Sequence, residues 1–440
     1  MIPAKFLQDL SGRVDIVDVV GRYVPLKKRG TNFVGLCPFH AEKTPSFTVS
    51  PVKQVYHCFG CGVHGTTIGF LMEHMELTFP DAVDALAKLA NMTVPDKPVS
   101  RGAAPVAGAL AKPAPHVTKD FRETLLGVMR KACEFYCTRL HSSPQAIAYL
   151  KGRGVTDEVA QRFGVGYAPA LWQGLEDAFD DYESAALVGA GLVVTSDRQD
   201  QHGRVRRYDL FRNRIMFPVL DAQGQVIGFG ARAHDRSKPK YLNSPETALF
   251  SKGNELYGLF EARSAIRERG YVLVVEGYMD VLALAQCGFP NVVATMGTAC
   301  TAAHVQKLLR QTDTIVFCFD GDTAGSRASR RALQACLPCA ADNRTIRFLF
   351  LPPQHDPDSY VRELGAQAFA QQVKLAMPLS QFLFNEATLG RSLEHPEGRA
   401  RALAEAKPLL QALPQNALRA QILRMFAQRL NVSPGEIGLS

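Results

Sequence analysis

Two stretches of the sequence, YVLVVEGYMDVL (residues 271–282) and TIVFCFDGDTAG (residues 314–325), determine the fold class that we predict. Each contains a short apolar run, rich in β-branched or aromatic residues, that ends in an acid followed by glycine. NVVATMG (291–297) and IRFLFLPP (346–353) are further apolar runs, and helix-length segments separate the four. This alternation is typical of a parallel sheet that is buried on both faces. We therefore predict an α/β subdomain built on a parallel sheet.

Acidic residues follow three of these predicted strands. They are Glu276 and Asp280, Asp320 and Asp322, and Asp356 and Asp358. Because ligands of open α/β sheets bind at the carboxyl ends of the strands, we expect these acids to converge at one edge. Clustered carboxylates stay ionised together only beside cations, and Mg²⁺ suits them because it keeps waters for substrate phosphates. A single acid of this kind is better explained as a helix cap or turn residue, but three groups in one sheet favour a metal site for phosphoryl transfer.

Four potential zinc ligands lie near the N-terminus. They form two pairs, Cys37-Pro-Phe-His40 and Cys58-Phe-Gly-Cys61. Four ligands in paired spacing close a tetrahedral structural Zn²⁺ site that has no open position. His57 and His64 do not fit this spacing, and we leave them out. The segment between the pairs, SFTVSPVKQVYHC (46–58), is typical of a hairpin, so we predict a zinc ribbon with one structural Zn²⁺.

Length, charge and cysteine content exclude several classes of protein. The 440 residues carry a formal net charge of +8 and are 46% hydrophobic, as in a folded chain. No apolar run approaches the roughly 18 residues of a membrane helix, and the N-terminus lacks the pattern of a secretory signal. Ten cysteines are too sparse for a disulfide scaffold of this length. We therefore expect no membrane partner and a reducing, cytoplasmic setting.

Basic residues are concentrated in two windows, residues 22–53 and 203–240. In the first window, Lys27, Lys28 and Arg29 are interleaved with aromatic residues. Cations that follow phosphates, together with aromatic faces that stack on unpaired bases, make up a surface for single-stranded nucleic acid. The distribution of charge therefore predicts a polyanionic partner more strongly than the net charge does.

The predicted fold class is α+β and multidomain. Its segments are a zinc ribbon domain (1–94), a Pro/Ala-rich linker (95–118), a mixed α/β basic part of the core (119–258), a parallel-sheet α/β subdomain (259–372) and a helical C-terminal part of the core (373–432). The linker is rich in proline and alanine and has no aromatic residue, so it cannot build a packed core.

Several motifs resemble one family, the bacterial replicative DNA primases of the DnaG type. CPFHAEKTPSFTVSPVKQVYHCFGCGVHGTTIGFL (37–71) resembles the zinc-binding domain of that family. Six further motifs resemble the RNA polymerase core of that family, which contains a TOPRIM subdomain. They are FRNRIMFPV (211–219), GFGAR (228–232), PKYLNSPET (239–247), VVEGYMDVLAL (274–284), CFDGDTAG (318–325) and DPDSYV (356–361). The resemblance extends over nearly the whole chain.

The resemblance implies three sets of site residues. The implied zinc ligands are Cys37, His40, Cys58 and Cys61. The implied catalytic and metal-binding acids are Glu276, Asp320 and Asp322, with Asp280, Asp356 and Asp358 supporting the same site. The implied basic cleft for template and nucleotide comprises Arg153, Arg232, Lys240, Tyr241 and Lys252.

The resemblance also implies an activity and its partners. The expected reaction is de novo synthesis of short RNA primers from ribonucleoside triphosphates on a single-stranded DNA template. The expected cofactors are one structural Zn²⁺ and two or more catalytic Mg²⁺ ions, with Mn²⁺ as a possible substitute. Members of the family usually carry a further C-terminal helical domain that docks on the replicative helicase. Because this chain stops at Ser440, directly after the predicted core, we expect that domain to be missing.

Two other functions use the same features. A topoisomerase or nuclease could use the TOPRIM acids, although a topoisomerase also needs a nucleophilic tyrosine on a strand-passage domain. A zinc-ribbon DNA-binding protein without enzymatic activity could use the acids as helix caps. Primer synthesis on a single-stranded template, dependent on Glu276 and Asp320, would distinguish the primase from both.

Overall fold

A computed structural model describes residues 6, 10, 14–39, 42, 44–52, 54–58, 60–61, 63–74, 82–83, 86–87, 92, 119–199, 205–235, 237–297 and 299–437. The chain divides into two compact units, residues 1–111 and 112–440. The predicted linker, residues 95–118, lies outside the described residues.

The first unit contains a five-stranded antiparallel sheet in which strands adjacent in sequence are paired. Its elements are α1 (Ile16–Val20), β1 (Lys27–Arg29), β2 (Asn32–Gly35), β3 (Phe47–Ser50), β4 (Val55–Cys58), β5 (His64–Gly65) and α2 (Thr67–His74). Phe47, Tyr56 and Phe70 are buried, and their rings contact one another. The aromatic residues of this small unit therefore form its core, and the predicted hairpin between the cysteine pairs is present as β3 and β4.

The second unit begins with helices that precede an antiparallel sheet. Its first elements are α3 (Lys119–His141), α4 (Pro144–Gly152), α5 (Asp157–Arg162), β6 (Gly166–Ala168), α6 (Ala185–Gly189), β7 (Val193–Gln199), β8 (Val205–Asp209), β9 (Arg214–Leu220), β10 (Val226–Ala233) and β11 (Tyr241–Asn243). The sheet has the order β11-β10-β9-β6, and β7 pairs with β8 in a separate hairpin. Tyr136 of α3 packs edge-on against Phe229 of β10, with ring centroids 5.4 Å apart.

The predicted parallel sheet follows in the same unit. Its elements are α7 (Leu259–Arg269), β12 (Val272–Val275), α8 (Tyr278–Gln286), β13 (Val292–Ala294), α9 (Ala302–Leu309), β14 (Thr314–Phe319), α10 (Thr323–Cys336), β15 (Thr345–Phe350), α11 (Pro357–Leu375) and β16 (Met377–Pro378). The strand order is β13-β12-β14-β15-β16. The first four strands are parallel, and the short β16 is antiparallel to β15.

Residues of the parallel strands alternate between two hydrophobic cores. Leu273 and Val275 belong to a core shared with the antiparallel sheet, whereas Val272 and Val274 belong to a core on the other face. Because side chains alternate along a strand, an uninterrupted apolar run is buried on both faces. The predicted α+β class, with a zinc ribbon, a parallel sheet and C-terminal helices, is confirmed.

The C-terminal helices cover one face of the parallel sheet. They are α12 (Leu379–Thr388), α13 (Pro396–Gln411), α14 (Ala417–Leu430) and α15 (Pro434–Ile437). Phe382 of α12 packs against Phe348 of β15, with ring centroids 4.7 Å apart. Among the described residues, no helix combines the length and apolarity needed to cross a membrane.

Candidate active site and zinc centre

A cavity of about 450 Å³ opens at the carboxyl edge of the parallel sheet and is also lined by the antiparallel sheet. Of the predicted site residues, it brings together Arg153, Arg232, Lys240, Tyr241, Glu276, Asp280, Asp320, Asp356 and Asp358. These residues come from segments that are far apart in sequence. Acids and cations therefore face one cavity, as metal binding and phosphate binding together require.

The strand ends place the acids at this edge. Glu276 follows β12 directly, and Asp320 follows β14 directly. A side chain at Gly321 would overlap the Pro352 carbonyl, so glycine is required between Asp320 and Asp322. Asp322 caps α10 by accepting a hydrogen bond of 2.7 Å from the Gly325 backbone N–H.

Glu276 and Asp320 carry the carboxylate oxygens that fit a cation. Among the described residues, Oε1 of Glu276 and Oδ1 of Asp320 are buried without a hydrogen-bond partner. Burial and the nearby charges of Glu276, Asp356 and Asp322 raise the pKa of Asp320 to about 7. Burial and Asp322 likewise raise the pKa of Glu276, against the opposing charge of Arg331. Unpartnered buried carboxylates that repel one another are a suitable donor set for a divalent cation.

The other three acids of the cavity already have partners in the protein. Oδ2 of Asp280 accepts a hydrogen bond of 3.1 Å from the Gly277 backbone N–H. Asp358 accepts from Arg362 at 2.7 Å and from Arg153 at 3.3 Å. Asp356 is the N-cap of α11. Burial acts to raise the pKa of Asp356, but hydrogen bonds from Ser359 outweigh burial and lower that pKa. The carboxylates of these three acids therefore accept hydrogen bonds from helix N-termini or from arginines. Oε1 of Glu276 and Oδ1 of Asp320 accept none from the described residues.

The opposite wall of the cavity is basic. Arg232 is 4% exposed, donates a hydrogen bond to the Tyr241 hydroxyl and has its guanidinium carbon 5.1 Å from the Tyr241 ring centroid. The Lys240 ammonium lies 5.6 Å from the same centroid. Burial raises the pKa of Tyr241 to about 12, so its hydroxyl stays neutral near pH 7. On this wall, Arg232 and Lys240 therefore pack against the ring of Tyr241. Lys252, which was also predicted to belong to the basic cleft, does not line the cavity.

The cavity also contains Asn243, which the sequence analysis missed. Its Oδ1 accepts from the Tyr278 hydroxyl, and its Nδ2 donates to the Met296 carbonyl at 2.8 Å. Asn243 therefore ties β11 to the first residue of α8 and to the loop that follows β13. PKYLNSPET contains it, but no spacing rule distinguishes it from a turn residue.

The predicted zinc ligands of the first unit converge, as far as they are described. The Sγ atoms of Cys37, Cys58 and Cys61 lie within 4.8 Å of one another, and His40 lies outside the described residues. Although burial opposes the effect, hydrogen bonds from Ser46 and from the backbone N–H groups of Cys61 and Gly60 lower the pKa of Cys58 to about 6. The thiolate is the form that binds zinc, so the chemistry of this cluster fits a structural zinc ion.

The predicted basic residues of the first unit lie on a sheet edge. Lys27, Lys28 and Arg29 form β1, the edge strand, and all three are exposed. Exposed cations on an edge strand also prevent edge-to-edge pairing. Their exposure is therefore compatible with nucleic-acid binding but does not require it.

An exposed aromatic platform in the second unit was also missed by the sequence analysis. Trp172 is 65% exposed, and the Arg212 guanidinium carbon lies 4.3 Å from its ring centroid. Tyr208 meets Trp172 edge-on at 5.6 Å and is also covered by Arg212. We call Trp172, Tyr208 and Arg212 the Trp172 platform. The available signal was that the only tryptophan of the chain precedes a basic window that contains Tyr208 and Arg212.

Family models match successive parts of the chain. Their descriptions are the CHC2 zinc finger (residues 2–101), the N-terminal domain of the DNA primase catalytic core (135–263), a Toprim-like domain (273–361) and the DnaB-helicase binding domain of primase (380–435). The match to a zinc finger model and the cluster of three cysteines both support a structural zinc ion in the first unit.

Curated relatives match the chain over nearly its full length. The DNA primase of Neisseria meningitidis serogroup A is 47% identical over 439 residues, which are 99% of this chain and 72% of that protein. The DNA primase of Escherichia coli K12 is 44% identical over 435 residues, which are 98% of this chain and 72% of that protein.

Solved structures of primases share the fold. The zinc-binding and RNA polymerase domains of Aquifex aeolicus primase match with a TM-score of 0.62 and 31% identity, over 98% of both chains. A DnaG primase catalytic domain bound to single-stranded DNA matches with a TM-score of 0.66 and 42% identity, over 72% of this chain and 100% of that one.

The expected absence of a helicase-binding domain was wrong. Residues 380–435, which we had interpreted as the helical end of the core, match the family model described as the DnaB-helicase binding domain of primase. Helical spacing of apolar residues reports which face of a helix is buried. It carries no signal for what the exposed face binds, so the sequence pattern could not distinguish a core helix from a docking helix.

The topoisomerase, nuclease and non-enzymatic alternatives are not favoured by any of these matches. Models of the CHC2 zinc finger, the primase catalytic core and a Toprim-like domain match this chain in succession, and the relatives that match nearly all of it are DNA primases. The chain belongs to the family of bacterial DnaG-type DNA primases and is an RNA polymerase that makes primers.

Proposed function

We propose that the cavity at the carboxyl edge of the parallel sheet is the site of nucleotidyl transfer, with Glu276, Asp320 and Asp322 as the acids that hold catalytic Mg²⁺. The observation that carries the proposal is that one buried oxygen of Glu276 and one of Asp320 have no hydrogen-bond partner in the part of the chain that the structure describes. When bound, Mg²⁺ or Mn²⁺ would stabilise the charge on the attacking and leaving oxygens of an in-line displacement. Two acids on separate strand ends, with Asp322 beside them, provide ligands for more than one ion.

The basic wall would bind the nucleotide. In the proposed reaction, a 3′-hydroxyl attacks the α-phosphate of the next ribonucleotide, and pyrophosphate leaves. Arg232 and Lys240, held on Tyr241, would neutralise the triphosphate. Arginine presents a rigid fork of donors that matches phosphate oxygens. Asp358 would act on this wall indirectly, because it holds Arg153.

We further propose that the Trp172 platform binds the single-stranded template. An exposed tryptophan with a guanidinium over its face is the kind of surface on which unpaired bases stack. The similar primase domain bound to single-stranded DNA supports this class of ligand. The exposed Lys27, Lys28 and Arg29 would add contacts to template phosphates during initiation.

The proposed function is tested by primer synthesis. The full chain, loaded with Zn²⁺, is incubated with single-stranded DNA, ribonucleoside triphosphates and Mg²⁺, and the products are resolved by length. Oligoribonucleotides that depend on the template are the expected result. A protein that instead cleaves or relaxes DNA, or that only binds it, would contradict the proposal.

Replacing Trp172 is expected to weaken template binding. Stacking on an aromatic side chain contributes about 1–3 kcal/mol per base, so Trp172→Ala should reduce affinity for single-stranded DNA by about 5- to 100-fold. Anisotropy of a labelled oligodeoxythymidine at fixed salt measures this. Leu171→Ala is the matched control, because Leu171 is a neighbouring apolar residue that is 58% exposed. Equal affinities for the two variants would show that Trp172 does not stack on template.

Metal binding at the cavity is expected to release protons. The pKa of Asp320 is raised to about 7, so its carboxyl is largely protonated below pH 7 and must lose that proton when it binds a cation. Affinity for Mg²⁺ should therefore rise from pH 6 to pH 8. Calorimetry in buffers of different ionisation enthalpy should detect release of nearly one proton per protein at about pH 6 and much less at about pH 8. If Asp320→Asn releases as many protons as the unmodified protein, the proton comes from another group.

A further inference from the structure

Asp209 is a buried acid that lies in sequence between two members of the Trp172 platform, Tyr208 and Arg212. It is the last residue of β8 and is only 2% exposed. Burial raises the pKa of Asp209 to about 6, against the lowering effect of its hydrogen bonds and of Arg212. The carboxyl is therefore ionised at about pH 8. Because burying a charge is costly unless hydrogen bonds compensate it, the contacts of this carboxylate indicate its role.

The Asp209 carboxylate caps the turn that follows Trp172. Its Oδ2 accepts a hydrogen bond of 3.0 Å from the Leu175 backbone N–H. That N–H belongs to a short 3₁₀ helix, Gly174–Asp177, whose own N-cap residue, Gln173, makes no side-chain cap hydrogen bond. The first N–H groups of a helical turn have no partner within the turn. Asp209, 34 residues away from Leu175, supplies the acceptor that the local sequence does not.

The second carboxylate oxygen holds the Asp209 side chain in place. The hydroxyl of Tyr182, which is itself buried, donates a hydrogen bond of 2.7 Å to Oδ1 of Asp209. Hydrogen bonds to an ionised acceptor are stronger than those between neutral groups. The carboxylate therefore cannot rotate away from the turn without losing two such bonds.

The main chain of Asp209 is joined to the platform directly. Its backbone N–H donates to the Trp172 carbonyl at 2.8 Å, and its carbonyl accepts from Nη1 of Arg212. The same guanidinium lies over the Trp172 ring. Asp209 thus holds Trp172 through its main chain and the following turn through its side chain. This one residue fixes the backbone that carries the ring relative to the arginine that covers it.

We propose that Asp209 is a positioning residue whose buried carboxylate holds the Trp172 ring against Arg212, in the orientation in which the ring stacks on an unpaired template base. The inference rests on the proposed role of the Trp172 platform in template binding, and it adds a residue that does not touch the DNA. A purely structural acid would affect stability alone. A positioning acid also affects the mobility of the Trp172 ring and the affinity for single-stranded DNA.

Fluorescence tests the positioning without DNA, because Trp172 is the only tryptophan of the chain. In Asp209→Ala, the turn loses its cap, so the ring should move more freely and its fluorescence anisotropy should fall. In Asp209→Asn, the side-chain oxygen can still accept from the Leu175 N–H, and the Tyr182 hydroxyl can turn to accept from the amide. The anisotropy of Asp209→Asn should therefore stay close to that of the unmodified protein.

Affinity for a labelled oligodeoxythymidine, measured at about pH 8 and fixed salt, tests the consequence for binding. Asp209→Ala should lower the affinity about tenfold, and Asp209→Asn should lower it by less than about threefold. Removing a negative charge by itself favours the binding of a polyanion, so a decrease cannot result from the change in charge. Glu176→Ala is the matched control, because Glu176 is an exposed acid of the same turn. The affinity of this control should stay the same or rise.

A double-mutant cycle with Trp172→Ala decides the route of the effect. If Asp209 acts through Trp172, Asp209→Ala should lower the affinity by less than about twofold in the Trp172→Ala background. Multiplicative effects would overturn the inference. Unchanged anisotropy and affinity in Asp209→Ala would also overturn it, even if the melting temperature of that variant falls.

Tyr182→Phe decides the question if Asp209→Ala does not fold. It removes one of the two side-chain hydrogen bonds of Asp209 and keeps an aromatic ring in the core. Both the anisotropy and the affinity should then decrease, the affinity by about two- to threefold, and no change in either would contradict the inference. If the unmodified protein does not bind single-stranded DNA, the proposed role of the platform fails. The anisotropy measured without DNA still tests whether Asp209 positions the ring.

Discussion

Asp320→Asn is expected to reduce primer synthesis by at least about 1,000-fold without lowering the stability of the metal-free protein. A metal ion at this position contributes several kcal/mol of transition-state stabilisation, and each ~1.4 kcal/mol changes the rate tenfold. Among the described residues, Oδ1 of Asp320 is buried without a hydrogen-bond partner, so none of them replaces the cation there. Glu276→Gln should behave in the same way, because Oε1 of Glu276 is also buried and has no hydrogen-bond partner among the residues described.

The stability of the same variant distinguishes a functional acid from a structural one. A buried carboxyl whose pKa is raised in the folded state contributes stability at low pH and loses it as the pH rises through the folded pKa. For Asp320, whose ordinary pKa of 3.8 is raised to about 7, that stability is fully present below pH 3.8, falls as the pH rises and is lost by about pH 7. The neutral asparagine avoids this loss, so the melting temperature of metal-free Asp320→Asn should equal or exceed that of the unmodified protein at pH 8.

Asp313→Asn is the matched control for this experiment. Asp313 is an exposed acid just before β14, at the end of the strand opposite to Asp320. Its substitution removes the same charge and should leave primer synthesis unchanged. Primer synthesis above about a tenth of the unmodified rate in Asp320→Asn would show that Asp320 is not a metal ligand. A large loss of stability in Asp320→Asn would mean that Asp320 has a structural role.

Cys58→Ser is expected to release zinc and unfold the first unit. Structural zinc contributes about 10–16 kcal/mol of binding free energy in small zinc domains, and this energy is folding energy. Cys58 is buried, and its Sγ lies within 4.8 Å of two other thiol sulfurs, so the substitution removes one of the expected thiolate ligands. Zinc content, measured by mass spectrometry of the metal, should fall from about one per chain to a small fraction.

The kinetic consequence should differ between initiation and extension. De novo priming should be largely lost, whereas extension of a primer already annealed to the template should survive better, because the cavity of the second unit is chemically intact. Cys133→Ser is the control, since Cys133 lies on α3 outside the zinc unit. If initiation and extension decrease equally, the zinc unit supports the core rather than initiation.

Much of the fold could be predicted because it follows local rules. Apolar runs of strand length predicted the parallel strands, and the same alternation explains why Leu273 and Val274 enter different cores. Paired spacing identified three cysteines that the structure brings together. Six acids at strand ends were predicted to converge, and five of them line one cavity, whereas Asp322 does not. Their roles as metal ligands stay predictions until the metal-binding and kinetic experiments are done.

The rest could not be predicted, because it depends on partners that are distant in sequence. The Trp172 platform combines residues from two segments, and only their packing shows that the tryptophan is exposed with Arg212 on its face. The expected absence of a helicase-binding domain was wrong for a related reason. Helical spacing of apolar residues indicates which face of a helix is buried and gives no information about what the exposed face binds.

By itself, the sequence determined the class of the fold, the zinc ligand spacing and the family, because each depends on residues close together in the chain. Only the tertiary structure decided which acids remain available. Asp358 looks the same as Asp320 in sequence, yet Arg153, 205 residues away, occupies it, while Oδ1 of Asp320 has no partner among the described residues. Whether a carboxylate is neutralised by the protein or needs a cation depends on what the folded chain brings within about 3 Å of it. Local spacing gives part of that information, as with Arg362 four residues after Asp358, but it does not show the contact with Arg153.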